Sequence, residues 1–348
     1  MSKPPKMPSY LSVAEDYLLH PGDYVKNITV TIKFKQRCLK TYQTVRSDDP
    51  QAEPLGEYLR QLHKYVDRYL RSKYKPSHQS FAYTKDRNIL MCVSEHLHSD
   101  TFLKTDISNF FGSIQLEKMI ERVNRLKVSN RFREHLDNFI GACFYKEKPK
   151  KRLGKHPASA EPPVEIRPEL PLGFVSSPTL SDLFLTDLDL EMQKDSRFTY
   201  TRYADDFLIS ASGPNALEVL AEAKAHLIAL LTPLCLNLNE QKTHFFTLKE
   251  PGASIRFLGV NLVKTNGNEN RITISDCYLR ETSYLFAFWH KRWKAGKTNE
   301  RETQALFSRI AFIRQISLAS LQKLKRIIFV KTGYQGELTR DDAMKWDG

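Results

Sequence analysis

The sequence has few cysteines, no long apolar run and no excess of acidic residues. Its five cysteines are scattered and form neither a Cys-x-x-Cys pair nor a zinc-site spacing, which excludes a zinc ribbon and a disulfide framework. No apolar stretch approaches the roughly 20 residues that span a bilayer. The N-terminal segment MSKPPKMPSYLS also lacks the apolar core of a signal peptide. We therefore expect a cytoplasmic protein with reduced thiols and no membrane partner.

Positive charge is what the sequence has in excess. Lys and Arg number 53 against 40 Asp and Glu, which gives a net charge of +13. Residues 144–170 hold five prolines and seven Lys or Arg, so they predict an exposed basic loop. Residues 285–331 hold eleven Lys or Arg and two Glu. Such surfaces favour a polyanionic partner, and the phosphates of nucleic acid fit both segments.

The order of predicted elements is typical of an α+β protein. Alternating residues predict a strand pair over 27–45 and a strand–turn–strand over 198–210. Helical spacing predicts helices over 55–70, 176–193 and 217–231. Farther on, RFLGVNLV and RITIS predict a second hairpin. The tail is predicted to be helical, because apolar residues at helical spacing form one stripe; it comprises Leu306, Ile310, Ile313, Ser317, Leu321, Leu324 and Ile328.

Two adjacent carboxylates, Asp205 and Asp206, stand inside the predicted hairpin over 198–210. An Asp-Asp pair is often only a turn, because Asp tolerates turn geometry. Here the flanking residues are apolar, so the carboxylates repel each other and lose hydration unless a cation compensates. Asp106 ends a second predicted strand, LKTD. Three carboxylates converging from strand ends predict a site for hard divalent cations and for nucleotidyl transfer.

Six segments of the chain resemble, in order, the motifs of reverse transcriptases. These are FAYTKDRNI at 81–89, LKTDISNFFGSI at 103–114, LPLGFVSSP at 170–178, TYTRYADDFLIS at 199–210, LNLNEQKTHFF at 236–246 and RFLGVNL at 256–262. Ordered agreement over several blocks is more specific than one motif. The resemblance implies a right-hand polymerase with fingers over 1–100, a palm over 101–262 and a helical basic thumb over 263–348.

The resemblance also implies roles for the acidic cluster. Asp106, Asp205 and Asp206 would hold two Mg²⁺ ions, or Mn²⁺, with the backbone carbonyl of Ile107 as a further ligand. Lys242 matches a lysine that protonates the pyrophosphate leaving group, and a surface lysine is an equally good interpretation of that position.

Other matches concern the nucleotide and the primer. Lys85 and Arg87 match the cations that hold the incoming triphosphate. Phe111 matches the steric gate against a ribose 2′-OH, although a core aromatic is the alternative. Leu172 and Gly173 occupy a nucleotide-binding segment. The expected primer grip is the run Phe257, Leu258 and Gly259.

Two departures from the family pattern stand out. The family places Gln where this chain has Leu172, so an amide near the nucleotide is replaced by an apolar side chain. Retron enzymes carry Asn-Ala-x-x-His in the fingers and Val-Thr-Gly in the thumb, whereas CVSEH keeps only His96 and FLG stands without Val-Thr-Gly. The first departure bears on substrate choice, processivity or template use. The second argues against a retron, and the chain then resembles the bacterial defence-associated reverse transcriptases.

The expected activity is therefore RNA-directed DNA synthesis with a noncoding RNA template, in bacterial antiphage defence. Two alternatives stay open: template-independent or protein-primed DNA synthesis, and a polymerase-like RNA-binding scaffold that is slow or inactive. An accessory defence protein and self-association are further partners that the resemblance allows.

Two further segments have predicted environments. The aromatics of FAFWHKRW in the tail would either stack on bases or lie between helices. The acidic run DLDLE at 187–191 predicts a solvated helix face.

Overall fold

A computed structural model describes residues 9–31, 39–45, 53–144, 169–267 and 269–346. The helices are α1 (Tyr10–Leu19), α2 (Pro21–Tyr24), α3 (Glu53–Arg71), α4 (Ile89–Ser94), α5 (Phe110–Ser113), α6 (Leu116–Asn124), α7 (Asn130–Glu134), α8 (Leu136–Gly141), α9 (Ser177–Met192), α10 (Ala216–Leu231), α11 (Asp276–Lys294), α12 (Glu300–Ile316), α13 (Leu318–Thr332) and α14 (Arg340–Lys345). The strands are β1 (Val25–Thr31), β2 (Leu39–Val45), β3 (Thr101–Asp106), β4 (Thr199–Tyr203), β5 (Asp206–Ala211), β6 (His244–Thr247), β7 (Ser254–Phe257), β8 (Val260–Val263) and β9 (Arg271–Ile274). Most of the predicted basic loop over 144–170 lies outside the described residues.

A four-stranded antiparallel sheet forms the centre of the fold, with strand order β4-β5-β3-β6. Successive side chains of a strand point to opposite faces, and here both faces are covered. On β3, Leu103 packs with helices α3, α9 and α10, whereas Phe102 packs in a second core cluster with strands β7–β9 and the C-terminal helices. The central strands are therefore apolar on both sides, which explains why TFLKT and FLIS lack a polar alternation.

Helix α9 is the most enclosed helix described. Twelve of its sixteen residues are buried. It begins with Pro178 in the first turn, where a missing N–H is tolerated. Because it packs against α3, α6 and α10, it connects the segment LPLGFVSSP to the sheet that carries the aspartates.

A second antiparallel sheet, β7-β8-β9, and the C-terminal helices form the other core cluster. The predicted hairpin of RFLGVNLV with RITIS is confirmed in part: β8 and β9 pair antiparallel, but a turn at Leu258 and Gly259 divides RFLGVNLV between β7 and β8. The tail is helical, as its apolar stripe predicts, and the stripe spans two helices, α12 and α13, which meet at Ser317. There the backbone is extended, and the side chain accepts a hydrogen bond from the N–H of Ser320 at 3.1 Å to begin α13.

The predicted strand pair over 27–45 is confirmed, since β1 and β2 pair antiparallel from Val25 opposite Val45. The domain boundaries at 100 and 262 stay a prediction. No helix within the described ranges is long and apolar enough to cross a bilayer.

Candidate active site

Strand register sets the position of the hairpin that carries Asp205 and Asp206. Antiparallel pairing places Asp106 of β3 directly opposite Asp206 of β5. The turn between β4 and β5 is Ala204-Asp205, and Ala204 adopts a left-handed backbone with φ of 59°. The N–H of Ile107 donates to the carbonyl of Asp205 at 3.2 Å. The fold therefore brings the backbones of the three predicted aspartates to one end of the central sheet.

Asp106 is the most buried of the three aspartates, with 5% of its surface exposed. One carboxylate oxygen, Oδ2, accepts a hydrogen bond from the ammonium of Lys242 at 2.5 Å. The other, Oδ1, is buried and has no hydrogen-bond partner within the described part of the chain. Lys242 itself is largely exposed, so its ammonium reaches inward from the surface to a nearly enclosed carboxylate.

Burial and neighbouring negative charges shift the pKa of Asp206. Burial, followed by the charges of Asp205 and Asp106, raises the pKa of Asp206 to about 6, and Lys104 and Lys242 oppose that rise. The hydrogen bond to Asp106 raises the pKa of Lys242. At Asp206, burial and the repulsion by the other two aspartates therefore outweigh the attraction of the two lysines.

Within the described ranges, no group of three or more His, Cys, Asp or Glu side chains is already gathered as a set of metal ligands. The residues nevertheless fit a divalent cation. Asp106 Oδ1 is an oxygen ligand without a partner, and a cation would relieve the repulsion that raises the pKa of Asp206. Ile107 and Leu238 form an isolated antiparallel β-bridge, whose hydrogen bonds use the Asp106 carbonyl and the Ser108 N–H. The Ile107 carbonyl takes no part in these hydrogen bonds.

Lys85 and Arg87, predicted to bind the triphosphate, lie in a loop in which Tyr83 and Asp86 adopt positive φ angles. Lys85 is exposed. Arg87 is partly buried, and its guanidinium donates to the carbonyl oxygens of Ser77 and Ser80, the latter at 2.6 Å. In this arrangement Arg87 fixes the loop backbone, and its predicted role on the triphosphate stays a prediction.

Phe111 stands in the short helix that follows β3. It is partly buried against the palm core and makes an edge-on contact with Phe110, with ring centroids 5.4 Å apart. Asn109 precedes this helix in a left-handed conformation, with φ of 46°. The role of Phe111 as a steric gate stays a prediction.

The segment LPLGFVSSP is anchored at both sides of the predicted nucleotide-binding residues. Ser177 Oγ donates to the Pro171 carbonyl at 2.6 Å, and Phe174 is buried. Between these anchors Leu172 is 43% exposed, and Gly173 takes a positive φ of 100°. The side chain that replaces the family's Gln thus points away from the core.

The predicted primer grip is the β7–β8 hairpin. Phe257 is buried, and the two turn residues Leu258 and Gly259 have φ of 49° and 88°. Two positive φ values are typical of the tight turn that matches strand twist. Lys104 of β3 donates to the Arg256 carbonyl at 3.1 Å, so the hairpin is tied to the strand that ends at Asp106.

The prediction that DLDLE is a solvated helix face is wrong for its central residue. Asp189 is fully buried and accepts two hydrogen bonds from the guanidinium of Arg202, at 2.8 and 2.6 Å. Asp182, also buried, contacts the same guanidinium at 2.9 Å. Sequence reasoning missed Arg202. The available signal was the seven-residue spacing of the two aspartates, which places them on one face of α9.

In the thumb, most aromatics of FAFWHKRW lie between helices. Phe286 and Trp289 are buried, and Trp289 donates to Thr303 Oγ1 at 3.0 Å. Phe288 is the exception, with 60% of its surface exposed beside the guanidinium of Arg292.

Comparison with known proteins now identifies the class. Residues 55–262 match the family model described as reverse transcriptase (RNA-dependent DNA polymerase). Because this match covers more than half of the chain, the chain belongs to the reverse transcriptase family. The expected α+β right-hand polymerase fold and the expected enzyme class are thereby confirmed.

Two curated relatives come from Escherichia coli. Retron Ec83 reverse transcriptase is 27% identical over 256 residues, which cover 70% of this chain and 72% of that protein. Retron Ec86 reverse transcriptase is 27% identical over 188 residues, which cover 53% of this chain and 50% of the relative. The chain therefore spans about half the length of the second relative. The resemblance to bacterial retron-like reverse transcriptases is confirmed, so the argument against a retron from the missing motifs is not supported.

Solved structures of telomerases are also similar. One is telomerase from Candida albicans in complex with a fragment of telomeric RNA, at 12% identity and a TM-score of 0.49, covering 98% of this chain and 66% of that chain. Another is apo telomerase from Candida tropicalis, at 11% identity and a TM-score of 0.47, covering 93% and 63%.

Proposed function

We propose that this chain copies an RNA template into DNA, extending a primer with deoxynucleotides at the cluster of Asp106, Asp205 and Asp206. The observation that carries the proposal is the register of β3 and β5, which places Asp106 opposite Asp206 at the end of a buried sheet within the family match. Acidic residues in such a setting are costly to keep unless they hold cations.

The carboxylates of Asp106, Asp205 and Asp206, with the Ile107 carbonyl, would hold two Mg²⁺ ions, or Mn²⁺. When bound, such ions activate the attacking primer hydroxyl and stabilise the leaving pyrophosphate. The partnerless Oδ1 of Asp106 and the raised pKa of Asp206 support this assignment.

Lys242 supplies the proton and the positive charge on the leaving-group side. Its ammonium is within reach of Asp106 while most of its side chain is in solvent, so it can turn toward a departing pyrophosphate. A lysine ammonium is protonated at neutral pH, and the hydrogen bond to Asp106 raises the pKa of Lys242 further. A protonated amine near the leaving oxygen is what general acid catalysis requires.

The other predicted residues position the substrates. Phe111 excludes the ribose 2′-OH, Leu172 and Gly173 contact the nucleotide, and Lys85 with Arg87 binds its triphosphate. The turn at Leu258 and Gly259 supports the primer end, and its link through Lys104 to β3 fixes it relative to Asp106.

The template would be a noncoding RNA, and the net charge of +13 supports a nucleic-acid partner. The resemblance to retron enzymes supports a place in bacterial antiphage defence. Template-independent or protein-primed synthesis is the second candidate. The observation that favours it is the exposed Leu172, which cannot make the hydrogen bonds of the usual Gln.

Primer extension tests the proposal. Purified protein receives a defined RNA template, an annealed DNA primer, deoxynucleotides and Mg²⁺, beside the Asp205→Asn variant. Wild-type protein should give a complementary DNA, and the variant should give none while binding the RNA as tightly. Equal extension by both proteins, or extension that ignores the template, would contradict the proposal.

A further inference from the structure

Arg202 is a buried cation next to the catalytic turn. Only 1% of its surface is exposed, yet it stands in β4 two residues before Ala204. Its Nη1 donates to the Ala204 carbonyl at 3.1 Å. Because Ala204 has a left-handed backbone, that carbonyl marks the point where the chain reverses and presents Asp205. Removing the donor would leave a strained turn without this support.

Two aspartates of α9 hold the guanidinium in place. Asp189 accepts from both Nε and Nη2, which fixes the plane of the guanidinium, and Asp182 accepts from Nη2. A planar, two-pronged contact of this kind sets orientation as well as position. The remaining nitrogen, Nη1, is therefore aimed at the turn by the helix.

The same cluster reaches into the fingers. Ser80 Oγ donates to Asp182 at 2.5 Å, and Tyr74 donates to the other carboxylate oxygen at 3.2 Å. The backbone of Arg202 pairs with this segment as well: its N–H donates to the Gln79 carbonyl at 2.8 Å, and its carbonyl accepts from the Phe81 N–H at 2.9 Å. Through its side chain and its backbone, Arg202 thus connects the turn that presents Asp205, helix α9 and the segment that leads to Lys85 and Arg87.

We propose that Arg202 is a positioning residue for DNA synthesis, which fixes the Ala204-Asp205 turn relative to the nucleotide-binding fingers segment. This inference rests on the proposed function, because it concerns the rate of the same reaction. A small displacement of reacting groups by a remote substitution is enough to cost about 100-fold in rate. The expected effect is therefore on the chemical step rather than on nucleotide binding.

Arg202→Lys and Tyr200→Phe form a matched pair of variants. Lysine keeps the buried charge but cannot contact Asp189 in two-pronged fashion and the Ala204 carbonyl together. Tyr200 donates to the same Asp189 at 2.7 Å and makes no contact with the turn through its hydroxyl. Both variants weaken the buried cluster, and only the first releases the turn.

Single-turnover primer extension at varied deoxynucleotide concentration separates rate from binding, with circular dichroism to confirm folding. Arg202→Lys should lower the saturating rate by about 10-fold to 100-fold with little change in nucleotide Kd, and Tyr200→Phe should keep the wild-type rate. Equal rates in the two folded variants would overturn the inference. If Arg202→Lys does not fold, Asp182→Asn replaces it, and a rate equal to that of Tyr200→Phe would again overturn it. Failure of the wild-type protein to extend a primer would instead reject the proposed function.

Discussion

Replacing Asp206 by asparagine should stabilise the fold while it abolishes synthesis. Asp206 has a pKa raised from the ordinary value of 3.8 to about 6, chiefly by burial and then by Asp205 and Asp106. Its proton is therefore held more tightly in the folded state, and the stability penalty of charging it is absent below 3.8 and complete above about 6. Asparagine has nearly the same shape and stays neutral at every pH.

The magnitude follows from that difference in pKa. At about 1.4 kcal/mol per pKa unit, the rise from 3.8 to about 6 corresponds to at most about 3 kcal/mol of unfolding free energy at pH 7.5. The side chain is only partly buried, so solvent screening reduces the expected gain to roughly 1–3 kcal/mol. At pH 4.5 the gain should fall to about one third of its value at pH 7.5.

Urea unfolding in the presence of EDTA, followed by circular dichroism, measures this gain at both pH values. The control is Glu218→Gln, an exposed substitution on α10 that should change the unfolding free energy by less than about 0.5 kcal/mol. The electrostatic account of the site would be refuted if Asp206→Asn were no more stable than the wild type, or if its gain were equal at the two pH values.

Three further substitutions test individual roles. Phe111→Ala should admit ribonucleotides and reduce sugar discrimination about 10-fold or more in competition assays, and unchanged discrimination would assign the ring to the core. Lys242→Met should lower the saturating extension rate about 100-fold without weakening nucleotide binding, as expected for loss of a general acid; a wild-type rate would leave Lys242 only a surface cation. Leu172→Gln should tighten the nucleotide Kd about 5-fold if the new amide makes one net hydrogen bond, and an unchanged Kd in the same titration would show that the position does not contact the nucleotide.

The β4–β5 hairpin that carries Asp205 and Asp206 could be predicted because its signal is local. Apolar strands on both sides of Asp205 and Asp206, and a strand ending at Asp106, are enough to bring the three positions together once β3 and β5 pair. The β8–β9 hairpin was predictable because its two strands lie close together in the sequence, whereas the turn at Leu258 inside RFLGVNLV was missed.

The Arg202 cluster could not be read in this way, because its partners come from three separated segments. DLDLE shows alternating acids, which suggests solvation, but α9 is enclosed on nearly all sides and turns Asp189 inward. Burial of that carboxylate is decided by packing against β4. Similarly, the apolar stripe of the tail continues through Ser317, and only its hydrogen bond to the Ser320 N–H shows that one helix ends and another begins.

Sequencing of the nucleic acid that co-purifies with the protein tests the central claim most directly, with wild type beside an Asp205→Asn, Asp206→Asn double variant. We predict that the wild type carries DNA complementary to a discrete RNA and that the variant carries the RNA alone. DNA of repetitive sequence that matches no RNA, or the same DNA in both samples, would contradict RNA-templated synthesis at this site.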